Sequence, residues 1–154
     1  MMKSIPVWKQ ELSDGVHAAR LASLYCCAPA ETASEAARYA AVLDGLEKTF
    51  GSHAEAGLYS APGRTEIGGN HTDHQHGRVL AGSVNIDMIA AAAPNDKNQL
   101  RVQSEGYDLC IIDLNDLEAR KEEENTTAAL LRGECAAFAQ RGAKLAGLDV
   151  YISS

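Results

Sequence analysis

The chain has 154 residues, 45% of them hydrophobic and 23% charged, enough apolar material for one packed domain and too little for two. Fourteen Lys and Arg against 21 Asp and Glu leave a formal net charge of -7, the wrong sign for a partner that is nucleic acid or an anionic membrane. No run approaches the ~18 apolar residues of a membrane span, and no basic stretch leads into a short apolar run at the N-terminus, so a soluble, cytoplasmic protein is expected.

Residues 1–31 read as an N-terminal extension, in which Pro6, Gly15 and Pro29 leave room for one modest helix between Val16 and Leu24. Cys26, Cys27, Cys110 and Cys135 form no C-x-x-C pair and are expected to be reduced, mostly buried thiols. Thr32 followed by Glu35 is a capping-box pattern and predicts a helix start. Ala36, Tyr39, Leu43, Leu46 and Phe50 then recur at three- and four-residue spacing, and Gly51 supplies the stop.

From Leu58 the period changes to two. Val84, Ile86 and Met88 are expected on the buried face of a strand, with Asn85 and Asp87 on the other. Pro94-Asn95-Asp96 breaks this strand, Leu100 and Val102 resume the alternation, and Leu109 to Leu114 reads as a further strand. An antiparallel sheet is the expectation. The run Lys121-Glu122-Glu123-Glu124 is taken as a solvated loop or helix start with no functional weight. A second helix is signalled from about Thr127, with Leu131, Cys135 and Phe138 on one face, and Leu148 to Ile152 alternate as a closing strand.

One segment concentrates chemistry. Between Ala61 and Gly77 the chain reads A-P-G-R-T-E-I-G-G-N-H-T-D-H-Q-H-G, with an arginine, two carboxylates and three histidines among its glycines. Such a glycine density suits close approach of backbone to a ligand, and polar side chains between strands need partners if they are buried. Three readings stand on the residues alone. His71, Asp73, His74 and His76 could ligate a metal, although their spacing fits no zinc signature. Gly63 and Gly68 have the G-x-x-x-x-G separation of a phosphate loop, but Gly69 stands where its lysine belongs. The third reading is a glycine-rich turn whose histidines satisfy local hydrogen bonds.

The same segment resembles the galactokinase signature of the GHMP sugar kinases, A-P-G-R-V-N-L-I-G-E-H-T-D-Y-N-G-G. It aligns without a gap and is identical at Ala61, Pro62, Gly63, Arg64, Gly69, His71, Thr72, Asp73 and Gly77. The resemblance implies an α+β fold, a mixed α/β sandwich with an antiparallel-rich sheet and helices packed on one face, over residues 32–154. It also implies an ATP-dependent transfer of the γ-phosphate to the anomeric hydroxyl of galactose by the parent enzyme. By the same resemblance Arg64 is the catalytic residue at the reacting hydroxyl, while Arg64, Asn70, His71 and Asp73 bind the sugar and no metal ligand is assigned. A carboxylate and an imidazole holding hydroxyl groups would fix a pyranose in one pose, and Arg64 would favour charge developing on the attacking oxygen.

Asn70 replaces the family's Glu, an acceptor-only group exchanged for an amide that also donates, which loosens the assignment of the exact sugar. His74 and His76 replace a Tyr and a Gly and are left out of catalysis, and Glu66 stands at the family's Asn. The family's ATP loop, P-x-G-x-G-L-S-S-S-A, would begin about where this sequence ends. ATP and Mg2+ are therefore expected for the parent enzyme and neither for this chain alone, which is expected to be inactive by itself and to self-associate through bared apolar surface. Two other functions compete: a non-catalytic sugar-binding or regulatory module, and a metal-dependent hydrolase built on the histidines.

Overall fold

The computed structural model describes residues 1–69 and 76–154. Along the chain, strand β1 (Met2–Lys3) leads into helices α1 (Ile5–Ser13), α2 (Ala18–Tyr25) and α3 (Ala33–Phe50). Strands β2 (Ala56–Gly68), β3 (Leu80–Pro94), β4 (Gln99–Ser104) and β5 (Cys110–Asp113) follow, then helix α4 (Thr127–Gln140) and strand β6 (Leu148–Ser153). The strands form a mixed sheet in the order β1-β2-β3-β6-β4-β5. All neighbours are antiparallel except β4 and β6, which run parallel. The α+β architecture with an antiparallel-rich sheet is the one expected.

The N-terminal segment contributes to the main core. Pro6 sits in the first turn of α1, where a missing amide costs nothing, so a residue read as a break in fact opens a helix. Two helices therefore stand where one was expected. Ile5, Trp8 and Leu12 from α1 and Leu21 and Tyr25 from α2 are buried with Tyr39, Val42, Leu43 and Leu46 of α3. This layer lies on Ala56, Ile89, Ala91 and Ala93 of the sheet, and each fully buried large side chain in it is worth roughly 1.5–3 kcal/mol in apolar transfer. Trp8 Nε1 donates to the Ala56 carbonyl at 2.8 Å, satisfying the one polar atom of an otherwise apolar side chain.

Helix α3 starts and stops as its sequence predicts, but its start is not secured by the expected box. Thr32 Oγ1 donates to the Pro29 carbonyl at 2.8 Å, and Glu35 pairs with Arg38 at 2.6 Å. A short 3-10 turn, Pro29–Glu31, precedes the helix and draws the Thr32 hydroxyl backwards. Glu31 instead reaches the Ala28 amide at 2.9 Å.

Strand β3 reverses the expected facing. Asp87 is 6% exposed and lies on the helix side with Ile89, whereas Ile86 is 76% and Met88 50% exposed. The carboxylate turns inward because partners from two helices and β2 satisfy it, which removes the usual cost of burying a charge. A similar inversion occurs on α4, where Arg132 is buried and Phe138 exposed. Arg132 grips Glu123 with Nε at 2.8 Å and Nη2 at 2.7 Å, and donates from Nη1 to the Asp116 carbonyl at 2.5 Å. One glutamate of the acidic run is thus a structural partner, while Glu122 and Glu124 are exposed. The Thr126 hydroxyl caps α4 by accepting from the Ala129 amide at 3.3 Å.

All four cysteines are free, but Cys26 is exposed and Cys27, Cys110 and Cys135 are half-buried rather than buried. Cys26 is turned outward by its left-handed backbone at the end of α2, φ 54°. No described helix is long and apolar enough to cross a membrane.

Candidate functional site

The segment singled out from sequence forms the far half of a long β2–β3 hairpin. Ala61, Pro62, Gly63, Arg64, Thr65, Glu66, Ile67 and Gly68 are the outer residues of β2 and pair with the stretch from Leu80 to Met88 of β3. β6 pairs with β3 only from Ile89 onward, and β1 meets β2 only at Ala56 and Gly57. Beyond these points the hairpin is a two-stranded ribbon.

Of the signature's glycines, Gly69 is required by this geometry and Gly63 is favoured by it. At Gly69, φ is +106°, and a Cβ would stand 2.5 Å from the Arg78 carbonyl oxygen and 2.8 Å from Val79 Cα. Both obstacles are backbone and cannot swing aside. At Gly63 a Cβ would meet the Ile86 carbonyl oxygen at 3.1 Å, and the register between the strands shifts between Pro62 and Arg64. A glycine lets the irregularity close up.

Of the predicted site residues, Arg64 lies exposed on β2, paired in register with Ser83. Asn70, His71 and Asp73 fall outside the described residues, as do Thr72 and His74. His76 is described: it is exposed, with φ 61°. No group of three metal-ligating side chains is found among the described residues.

The ribbon's root carries a buried polar cluster that the sequence pattern placed on the wrong face. Asp87 Oδ2 accepts from Ser60 Oγ at 2.5 Å and from the Tyr25 hydroxyl at 2.7 Å, and Oδ1 accepts from Arg38 Nη2 at 3.0 Å. The Tyr39 hydroxyl lies 3.1 Å from that of Tyr25, and Asn85 Nδ2 donates to the Tyr25 carbonyl at 3.5 Å. Burial alone would raise the Asp87 carboxyl, but the bonds from Ser60, Tyr25 and Arg38 outweigh it and hold the group below the usual carboxylate range. The same burial and hydrogen bonding push the Tyr25 phenol up, so at neutral pH Asp87 is charged and Tyr25 is a donor. A charged residue within an otherwise apolar run, Ile86 to Ala93, was the available signal for this cluster.

A second buried carboxylate, Asp149 of β6, is fully buried. It accepts from Arg101 Nε at 2.6 Å and Nη2 at 2.5 Å, from Asn95 Nδ2 at 2.6 Å, and bonds His53 Nε2 at 2.9 Å. Burial works to raise this carboxyl, and the bonds from Arg101, His53 and Asn95 together lower it. The cluster ties β6 to β4 and to the turns that follow α3 and β3. Its place is structural.

Comparison with known proteins agrees with the hairpin's sequence. Residues 46–94 match the galactokinase galactose-binding signature, a stretch that runs from the end of α3 through the whole hairpin. The chain is 29% identical over 109 residues to the galactokinase of Streptomyces coelicolor, covering 71% of this chain and 28% of that one. It is 36% identical over 83 residues to the galactokinase of Ligilactobacillus salivarius, covering 52% and 21%. Among solved structures, the Lactococcus lactis galactokinase complexed with galactose superposes with a TM-score of 0.63 and 22% identity, over 72% of this chain and 29% of that one. The chain thus spans under a third of the length of these relatives. The β2–β3 hairpin therefore carries the galactokinase galactose-binding signature, on a fold shared with part of a galactokinase.

Proposed function

We propose that this chain is the galactose-recognising part of an ATP-dependent galactokinase. The observation that carries the reading is the coincidence of the signature with the β2–β3 hairpin, in which Gly69 stands where a side chain would not fit and Gly63 where one would be crowded. In this reading Asp73 and His71 hold sugar hydroxyl groups and Asn70 adds an amide contact. Arg64, whose guanidinium offers a planar fork of N–H donors, faces the hydroxyl that is phosphorylated. ATP with Mg2+ would supply the phosphoryl group, the anomeric oxygen gaining its bond to the γ-phosphorus as the bond to ADP breaks and the hydroxyl proton is released to solvent or a base. The chain's own share is binding and orientation, which provide most of the help in such reactions because the transition state asks for little covalent chemistry.

Substitution of the proposed contacts tests this. Asp73→Ala and Arg64→Ala, titrated with galactose by calorimetry, should each lose sugar binding while the unfolding free energy from urea titration changes by no more than roughly 0.5 kcal/mol. Unfolding of Asp73→Ala, or galactose binding that survives both substitutions, contradicts the assignment.

A further inference from the structure

The signature ribbon is long and thinly supported. From Ala61 to Gly68 it extends about 26 Å at ~3.3 Å per residue, and over this length neither β1 nor β6 pairs with it. A tilt of about 5° at its root would displace its tip by about 2 Å, and misplacements of ~1 Å can cost ~100-fold where reacting groups must be aligned. Something other than the sheet has to set its angle.

The Asp87 cluster stands at that root. Asp87 pairs in register with Pro62, the residue just before the irregularity at Gly63. Its carboxylate joins Ser60 of β2 to Tyr25 at the end of α2 and Arg38 in α3. Asn85 adds a bond to the Tyr25 carbonyl from two residues further out. Both strands are thereby fastened to the helical layer at one point, on the side facing the core. Arg38 is held in turn by Glu35 at 2.6 Å, so the fastening point is itself braced.

We propose that Asp87 is a positioning residue for the sugar site, acting through Ser60, Tyr25 and Arg38 to fix the angle of the hairpin that carries Arg64 and, in sequence, His71 and Asp73. This rests on the galactose-binding reading of that hairpin. Asp87 itself touches no substrate. Its role differs from plain fold support because the hairpin's outer half contributes little to the main core: residues 61–69 are all exposed. Loosening it should leave global stability nearly intact while degrading the site.

Two variants separate these roles. Ser60→Ala removes the tie to β2 and leaves Asp87 bonded to Tyr25 and Arg38, while Asp87→Asn keeps the volume and loses the charge. In Ser60→Ala we expect amide exchange to accelerate at least fivefold over residues 61–69 and 80–88, with none over 99–104 and 148–153, and galactose affinity to fall at least fivefold. Ser60→Thr, which keeps the hydroxyl, should restore both, and Asp87→Asn should show the larger loss if it folds. Unchanged exchange in the ribbon of Ser60→Ala overturns the proposal, as does galactose affinity equal to that of the parent chain. If the unsubstituted chain shows no preference for galactose, the underlying reading fails, and the exchange pattern alone still decides whether the cluster holds the hairpin.

Discussion

Replacing Asp149 by Ala should remove a large share of the protein's stability. The side chain is fully buried and accepts two bonds from Arg101, one from Asn95 and one from His53. Truncation would leave a guanidinium and an amide without their acceptor in a half-buried setting. Removing one partner of a buried ion pair costs ~3–5 kcal/mol, and unsatisfied buried donors cost ~1–3 kcal/mol each, though not additively. Arg101 retains one favourable contact, its guanidinium carbon 4.9 Å from the Phe50 ring centre, which argues for a value of about 3–4 kcal/mol. Against a total of ~5–15 kcal/mol for a domain, that loss is readily seen in a urea titration at pH 7.

The pH dependence follows from the same contacts. The folded carboxyl titrates below its unfolded value of ~3.9, so the folded state binds fewer protons in that range. Its stabilising contribution is complete above the unfolded value and is lost as pH falls through the folded one. Asp149→Asn should therefore flatten the acid limb of the stability curve below about pH 4. A loss under ~1 kcal/mol in Asp149→Ala, the level of an exposed pair, together with an unchanged acid limb in Asp149→Asn, would refute the account of this cluster.

Gly69→Ala should destabilise the hairpin by roughly 1–3 kcal/mol, since its φ of +106° and the Arg78 and Val79 backbone leave no room for a Cβ. Loss of ribbon protection in hydrogen exchange, with β4 and β6 unaffected, would show it. The exposed apolar side chains of the ribbon, Ile67, Leu80, Ile86 and Met88, should drive self-association of the isolated chain. Sedimentation over a concentration series should detect it, and Ile86→Ser should weaken it; a monomer at all concentrations would count against this.

Much of the architecture could be read from local periodicity. The stripe on α3 is set by burial of one face and came out where the spacing put it, and Val102 is the buried residue of β4, whereas on β6 the buried residue is Asp149 and not Leu148, Val150 or Ile152. The glycines of the signature were legible because backbone constraints act within a few residues. What stayed hidden was the direction of individual polar side chains. Asp87 and Asp149 interrupt apolar strands and look like outward positions, yet both point inward, because their partners lie far off in sequence. Arg38 is 49 residues from Asp87, and His53 is 96 from Asp149. The placement of β6 between β3 and β4 is equally non-local. Pro6 was misread for a different reason: its restricted φ fits a helix's first turn as well as a turn between elements.

The central claim is that the β2–β3 hairpin recognises galactose. The most direct measurement is a titration of the isotopically labelled chain with galactose and, separately, with glucose, following backbone amide shifts. The account predicts that galactose produces saturable shifts concentrated on residues 61–88, with glucose weaker by at least an order of magnitude, because a sugar site built from fixed donors and acceptors penalises a hydroxyl of the wrong configuration. Equal responses to both sugars, or shifts that fall elsewhere on the chain, would contradict it.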